Sequence, residues 1–306
     1  MDVQDLYRSA NLWSTFHDPN APKLTINLNK VFESKLVDGL DVETHEKKDG
    51  VDVKLRVRDG VIIDRPVHLC FGVTEETALQ RISMDVHVGA GAGIQIMAHC
   101  VFPRAVDVTH QMDATIRLEK DAHYSYIERH IHSEAGGLSV IAKARVQLDE
   151  NARFQTEFEL VQGRVGKIDI DYETTCAAHS VMEMTAKING KQDDVIKINE
   201  TGHLIGEAAR GVLTTKVAVR DQAQAEVRNK LTASAAYARG HVDCKEVIQD
   251  QGVATAIPIV QVNHPKAHVT HEASIGSVDS KQLQTLMSRG LSEDDAVELI
   301  IQGLLG

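Results

Sequence analysis

Apolar and polar residues alternate through most of the chain. Val51-Asp52-Val53-Lys54-Leu55-Arg56-Val57 does so, as do Ala114 to Leu118 and Ala144 to Leu148. A two-residue period sends every second side chain to one face, the pattern of a half-buried strand. Between such runs one motif returns. Val88 to Ile94, Leu118 to Tyr124 and Leu148 to Phe154 each pass from an apolar residue, through a polar or glycine turn and a small residue, to a new apolar start. Their first residues lie 30 apart (118 − 88 and 148 − 118), with weaker echoes beginning at Cys176 and Ile205. A second set of turns stands at Gly136-Gly137, Gly163 to Gly166, Asn189-Gly190 and Arg220-Asp221. Two strands and two turns per roughly 30 residues, with no helix between them, predict a mainly β chain folded as a parallel β-helix, a solenoid whose coils bury their apolar faces against one another. A β-sandwich of evenly spaced strands is the alternative, but a sandwich does not require so constant a spacing.

The two ends read differently. Val3, Leu6, Tyr7, Ala10 and Trp13 have helical spacing and predict a short helix over residues 2–13. Near the C-terminus Asp279 is placed to cap a helix from Ser280 to Ser288, which Arg289-Gly290 ends. Ser292 followed by Asp295 resembles a capping box with Asp in place of Glu, opening a second helix from Glu293 to Leu305. The acidic run Glu293-Asp294-Asp295 suits the positive end of that helix dipole. Leu283, Leu286 and Met287 form one apolar stripe, and Ala296, Leu299, Ile300 and Leu304 another. The expected organisation is an N-terminal helical segment (1–25), a β-helix core (26–278) and a C-terminal two-helix segment (279–306) that folds back on the solenoid or offers a docking face.

Composition removes several functions. A formal charge of −11 over 306 residues argues against a nucleic-acid backbone as main partner. No run of 18 apolar residues occurs, so no membrane span is predicted, and Met1 to Asp5 lacks the apolar region of a signal peptide. The four cysteines, Cys70, Cys100, Cys176 and Cys244, form no C-x-x-C pair, which fits a reducing cytoplasm. No P-loop occurs, since Gly163-Arg164-Val165-Gly166-Lys167 has the wrong spacing, and Gly89, Gly91 and Gly93 lack the helix that a dinucleotide fingerprint requires. A β-helix enzyme acting on polysaccharides needs aromatic platforms and paired acids; aromatics are only 4% here, with one tryptophan, Trp13.

Metal-ligand chemistry concentrates in the last quarter. His271 and Glu272 follow Cys244 by 27 and 28 residues, about one coil, which would set them beside Cys244 on a neighbouring coil. Adjacent strand residues face opposite ways, so both cannot join Cys244 without a bulge. A thiolate beside an imidazole ligates iron or zinc, or carries a persulfide. On spacing alone the plainer reading, a small buried cysteine and a satisfied histidine, stands. His264 and His268, close in sequence, are second-tier ligand candidates, with a surface turn as their plain reading. Cys176 is a second-tier relay candidate. Cys70 and Cys100, 30 apart, would stack in adjacent coils as core filler, and His130 with His132, on one strand face beside Arg129, read as a solvated face.

The surrounding residues shift that balance. Arg239-Gly240 through Cys244, the run Pro258 to Ala267, His271-Glu272-Ala273, Ser288-Arg289-Gly290-Leu291-Ser292, and Ala296-Val297 to Gly303 resemble the SufB/SufD family of the SUF iron–sulfur cluster assembly system. The resemblance is strong over residues 200–306 and rests on strand-rich repetition in the middle. It implies a right-handed parallel β-helix, pairing of two subunits through the solenoid edge, and docking of the tail on an ABC-type ATPase, SufC, through Leu283, Leu286, Met287, Leu299 and Ile300. The position matching Cys244 is the sulfur-accepting, cluster-binding cysteine of SufB-type chains. His271 matches the histidine that SufD-type chains keep, and Glu272 the SufB-type acidic ligand. Carrying all three, the chain would serve both sides of a homodimer. It is expected to be a scaffold for a transient iron–sulfur cluster passed to apo target proteins, not an enzyme. A structural SUF subunit with an unused cluster site is the alternative. The chain is short for bacterial members and lacks their N-terminal extension and its cysteine motif, so a second sulfur-accepting cysteine is not implied.

Overall fold

The computed structural model describes residues 3–306, and the start of the expected first helix at Asp2 lies outside the described residues. Helices α1 (Val3–Ser9) and α2 (Trp13–His17) precede strands β1 (Lys23–Asn27), β2 (Lys30–Lys35), β3 (Leu40–Glu46) and β4 (Gly50–Val57). Next come β5 (Val67–Gly72), β6 (Thr77–Val88), β7 (Gly93–Phe102), β8 (Asp107–Leu118), β9 (His123–His132), β10 (Leu138–Leu148) and β11 (Arg153–Gln162). The last strands are β12 (Lys167–Cys176), β13 (Val181–Gly190), β14 (Val195–Leu204), β15 (Arg210–Val219), β16 (Gln224–Ala233), β17 (Arg239–Ile248), β18 (Val253–Val262) and β19 (His268–Ser277). Helices α3 (Ser280–Met287) and α4 (Glu293–Leu305) close the described chain.

Odd and even strands separate into two sheets. One runs β19-β17-β15-β13-β11-β9-β7-β5-β1-β2 and the other β18-β16-β14-β12-β10-β8-β6-β4-β3. From β5 onward every neighbour is parallel, so the chain is a β-solenoid of about 8 turns. The repeat seen in the sequence is the coil: Leu118 pairs with Leu148, Leu148 with Cys176, Cys176 with Leu204 and Leu204 with Ala233. The coil is not constant in length. Gly93, His123 and Arg153 follow at 30 residues, Val181 at 28, then Arg210, Arg239 and His268 at 29.

At the turns from even to odd strands one residue takes the left-handed conformation: Gly91, Asp121, Asn151, His179, Ala208 and Tyr237, with φ between 55° and 64°; Gln192, Asp221 and Asp250 do the same at the opposite turns. Such a conformation costs an ordinary residue roughly 1–2 kcal/mol. Stacking offsets it, because each turn amide bonds the next coil, as from Asp121 N to the Glu150 carbonyl and from Asn151 N to the Ala178 carbonyl. Inward side chains then fill the lumen in stacked rows, such as Ile168, Ile196, Ala225 and Ala254, the first three of them buried.

The two ends of the solenoid are unlike. At the N-terminal end the hairpins β1–β2 and β3–β4 add antiparallel edge strands carrying Lys30, Glu33, Lys35, Asp41, Glu43 and Glu46. Charged edges of this kind discourage further pairing. At the C-terminal end no residue of β18 or β19 is buried. The N-terminal segment forms two helices, not one, broken at Asn11, which takes φ 55°. Leu6, Tyr7 and Phe16 pack with Cys70 and Val101 on the outer face of β5 and β7. Cys70 therefore does not stack on Cys100: β5 and β7 pair at 29 residues, Cys70 meets His99, and Cys100 turns into the lumen. At the other end Val297, Ile301 and Leu305 of α4 pack with Val278 and Ala218. Asp279 caps α3 through Gln282 N (2.7 Å), and Ser292 caps α4 through Asp295 N (3.2 Å), as the sequence indicated.

Candidate functional site

Cys244 lies in the middle of β17, one strand from the exposed end, with its side chain in the lumen and buried. The ladder pairs it with Thr215 on β15 and Ala273 on β19. Asn229, on β16 of the opposite sheet, donates its amide to Thr215 Oγ1 (2.7 Å) and to Cys244 Sγ (3.6 Å). Glu246, two residues on, shares the inward face, and Glu200 pairs with Asn229 one coil deeper. Each glutamate is only 2% exposed. Both Glu246 carboxylate oxygens, Glu200 Oε2 and Asn229 Oδ1 have no hydrogen-bond partner. Sequence reasoning missed this pocket, although Thr215 stands one coil before Cys244 and Glu246 stands at the next inward position.

An excess of acceptors in a buried lumen keeps protons bound. Burial pushes Glu200 up to about 8. Burial, with the Asp243 charge adding, pushes Glu246 up to about 7. Cys244 is pushed up to about 12, by burial first and then by Glu246, Glu200 and Asp243, against the opposing Asn229 hydrogen bond. At neutral pH Cys244 is a thiol, and a metal ion or sulfur donor reaching it must displace a proton.

The 29-residue coil decides how the other candidates lie. His271 pairs with Val242 and Glu272 with Asp243. His271 thus shares the inward face of Cys244, displaced two residues along the neighbouring strand, a backbone separation of about 8 Å at standard strand spacings. Glu272 lies on the outer face, where it and Asp243 raise the Lys245 ammonium, Asp243 with the larger effect. The expected side-by-side placement of Cys244 and His271 gives way to a diagonal one, because 27 residues fall two short of the coil. Both His271 and Glu272 are exposed on the terminal strand. His264 sits in the turn before β19, accepting from Lys266 N, and His268 opens β19 opposite Arg239, five positions from Ala273; neither shares the Cys244 pocket. Cys176 ends β12 in the other sheet between Leu148 and Leu204, an aliphatic setting that pushes its thiol up to about 12 by burial.

In the tail the solenoid-facing residues of α4 are Ala296, Val297, Ile301 and Leu305. Leu283 and Ile300 are half-buried against that cluster and Leu286 is half-buried, whereas Met287 (41%) and Leu299 (47%) are exposed. His130 and His132 correct the sequence reading: they are buried in the lumen, not a solvated face.

The fold is a β-solenoid with a buried cysteine pocket, Cys244 with Asn229, Glu200 and Glu246, close to its exposed C-terminal end. The family model described as SUF system FeS cluster assembly, SufBD core domain, matches residues 71–304. An iron–sulfur cluster assembly SufBD family protein of Methanocaldococcus jannaschii is 34% identical over 285 residues, covering 93% of this chain and 90% of the relative. Another, from Pyrococcus horikoshii, is 30% identical over 302 residues, covering 99% and 92%. A Staphylococcus epidermidis relative is 25% identical over 262 residues, covering 81% of this chain and 54% of the relative. The chain belongs to the SufBD family, and membership implies a role in iron–sulfur cluster assembly.

Proposed function

We propose that the chain is a cytoplasmic scaffold on which the SUF system builds iron–sulfur clusters. It works as a homodimer with a SufC-type ABC ATPase on residues 279–306, and passes the transient cluster to apo target proteins. The observation that carries this reading is the position of Cys244: a buried thiol one strand from a terminal strand that bears His271 and Glu272 and buries nothing. One chain supplies a single thiol and imidazole on that face, short of the four protein ligands that a [2Fe–2S] or [4Fe–4S] cluster takes. A second copy meeting the same edge would bring a second set and cover Val262 and Ile275, which are 47% and 46% exposed. The cluster is cargo, and the chain turns over no substrate of its own. Opening of the edge by the ATPase would admit solvent to the pocket and let Cys244 lose its proton. Leu299 and Met287, left uncovered by the solenoid, are the tail residues free to meet that partner.

Anaerobic reconstitution with ferrous iron and sulfide, with the ATPase present, compares wild type with Cys244→Ala by absorption and Mössbauer spectroscopy. The expected result is a cluster in wild type that the variant fails to hold. Equal loading of the two would overturn the Cys244 site, and no iron in either would favour a structural subunit.

A further inference from the structure

A second ligand-type pocket lies in the lumen between β7, β8 and β9. Four strand steps separate β9 from β17, about 20 Å along the solenoid. Cys100 on β7 pairs with His130 on β9, and Glu128 is the preceding inward residue of β9. Cys100 Sγ donates to Glu128 Oε1 (3.3 Å), and His130 Nε2 bonds the same oxygen (2.7 Å). The Cys100, Glu128 and His130 ligand atoms all lie within 4.8 Å of one another, and all three residues are buried. His110, on β8 of the opposite sheet, brings its ring centroid to 6.3 Å from that of His130.

The hydrogen bonds fix where the ring protons are. The Arg164 carbonyl can only accept, so His132 Nδ1 (2.9 Å away) carries the hydrogen, and its Nε2 accepts from His130 Nδ1 (3.1 Å). Gln80 spends its amide nitrogen on the Leu28 and Gly72 carbonyls, so its oxygen faces His110 Nδ1 (2.8 Å), which donates. His110 Nε2 is left with a lone pair, buried and without a partner. His130 Nδ1 therefore donates to His132, which leaves its Nε2 facing Glu128 Oε1.

An apolar row of the same volume would be at least as stable as this buried polar row. Neighbouring strands do place apolar residues there: Phe158 on β11 and Ala186 on β13 continue the Glu128 row, and Leu160 and Ile188 stand at the next inward position. We propose that Cys100, Glu128 and His130 bind a single divalent transition-metal ion of the zinc type, with His110 Nε2 as fourth ligand. His132 is the positioning residue, accepting from His130 Nδ1 so that Nε2 faces the ion. One thiolate, one carboxylate and two imidazoles make a closed four-ligand set of the kind that suits zinc. Tetrahedral geometry separates such ligand atoms by about 3.3–3.7 Å, so His130 and Glu128 must part by less than an ångström, while His110, which lies outside the 4.8 Å group, must swing toward it. As the ion enters, the Cys100 thiol gives its proton to solvent, as does any proton on the ring nitrogens that face the ion. The bound ion would fasten three strands from both sheets. The pocket is independent of Cys244 and of the scaffold reading.

The test uses the full chain, unfolded with chelator and reductant and refolded anaerobically with cobalt(II) as a spectroscopic stand-in for zinc. The expected result is one cobalt per chain, with tetrahedral visible bands and a sulfur-to-cobalt charge-transfer band, equal in wild type and Cys244→Ala. Cys100→Ser should lose the charge-transfer band, and His132→Phe should weaken binding about 10–100-fold, as loss of an outer-shell partner does. X-ray absorption on wild type, which does not depend on a variant folding, should count one sulfur and three nitrogen or oxygen neighbours. No retained cobalt in wild type, a charge-transfer band that survives Cys100→Ser, or a shell without sulfur would each overturn the proposal.

Discussion

Glu200 is the most informative position to perturb, because it couples the Cys244 pocket to stability. It is buried in the lumen with Oε2 unpartnered, and its carboxyl is pushed from 4.5 up to about 8 by burial. A shift of that size corresponds to about 5 kcal/mol of preference for the protonated form in the folded chain. The folded state holds the proton more tightly than the unfolded one. Below pH 4.5 both states are protonated and Glu200 carries no penalty. As pH rises from 4.5 to about 8 the unfolded chain ionises first, and the fold loses stability throughout that window. Glu200→Gln keeps the shape and has nothing to ionise. At pH 5 the variant should therefore match wild type to within about 1 kcal/mol, a lost or gained hydrogen bond. The variant should exceed wild type by about 3 kcal/mol at pH 7 and about 5 kcal/mol at pH 9. Urea unfolding at the three pH values, followed by far-ultraviolet circular dichroism, reads this directly. Fluorescence is less suited, because Trp13 reports the N-terminal helices. A stability difference that is the same at pH 5 and pH 9 would refute the reasoning, since it would mean an ionised and well-solvated Glu200.

Three further perturbations follow from the geometry. With its thiol pushed up to about 12, Cys244 should alkylate roughly a thousandfold more slowly at neutral pH than an unperturbed cysteine; timed iodoacetamide labelling with peptide mapping checks this, and rapid native labelling would contradict it. A Cβ on Gly137 would stand 1.8 Å from the Val106 carbonyl oxygen, backbone against backbone, so Gly137→Ala should cost at least about 2 kcal/mol in urea unfolding. Arg164 pairs with Asp194 (2.8 Å), which is fully buried; Arg164→Ala should cost about 3–5 kcal/mol at pH 7 by leaving that carboxylate without its cation, and adding Asp194→Asn should recover part of the loss.

The parts of this fold legible in the sequence are those that a coil repeats. The step from Val88 to Leu118 to Leu148 survives as a true ladder because the turn between the sheets keeps one form, with Asp121 and Asn151 in the same left-handed conformation. The echo at Cys176 is real, whereas the one at Ile205 falls one residue late, since Leu204 is the ladder residue. Illegible were the changes of coil length, and in a two-residue period one residue decides the face. Cys70 and Cys100, 30 apart across a 29-residue step, end on opposite sides of their sheet. Cys244 and His271, 27 apart across 29, stay on one face but slip two positions. The tail helices were readable to within a residue because their caps are local. The lumen cluster was hidden for a different reason. In β9 the inward positions hold Glu128, His130 and His132, while Ile127 and Ile131 face outward. An alternation rule that sends isoleucine inward therefore reads that strand inside out.

The solenoid explains how one chain tolerates two polar pockets in its core. In a globular domain a buried glutamate strains a core shared by every element. Here each coil touches only its neighbours, so the cost stays local and the backbone ladder and stacked turns continue through it. Glu200 and Glu246 are held between apolar rows such as Met182, Met184 and Ile188 on one side and the terminal coil on the other. That placement separates two kinds of site. The Cys100 row lies under several coils on its C-terminal side and under the N-terminal hairpins on the other, so anything bound there stays with the fold. The Cys244 row is covered by one strand that buries nothing, so anything bound there can leave when that strand moves. Charge on the edges points the same way: β2 and β3 carry lysines and acids that repel an added strand, while β18 offers Ile257, Ile259 and Val262 and β19 no lysine at all. Under the proposed scaffold role, exchange of cargo belongs at the C-terminal end for this physical reason: its strands carry fewer of the charges that guard β2 and β3.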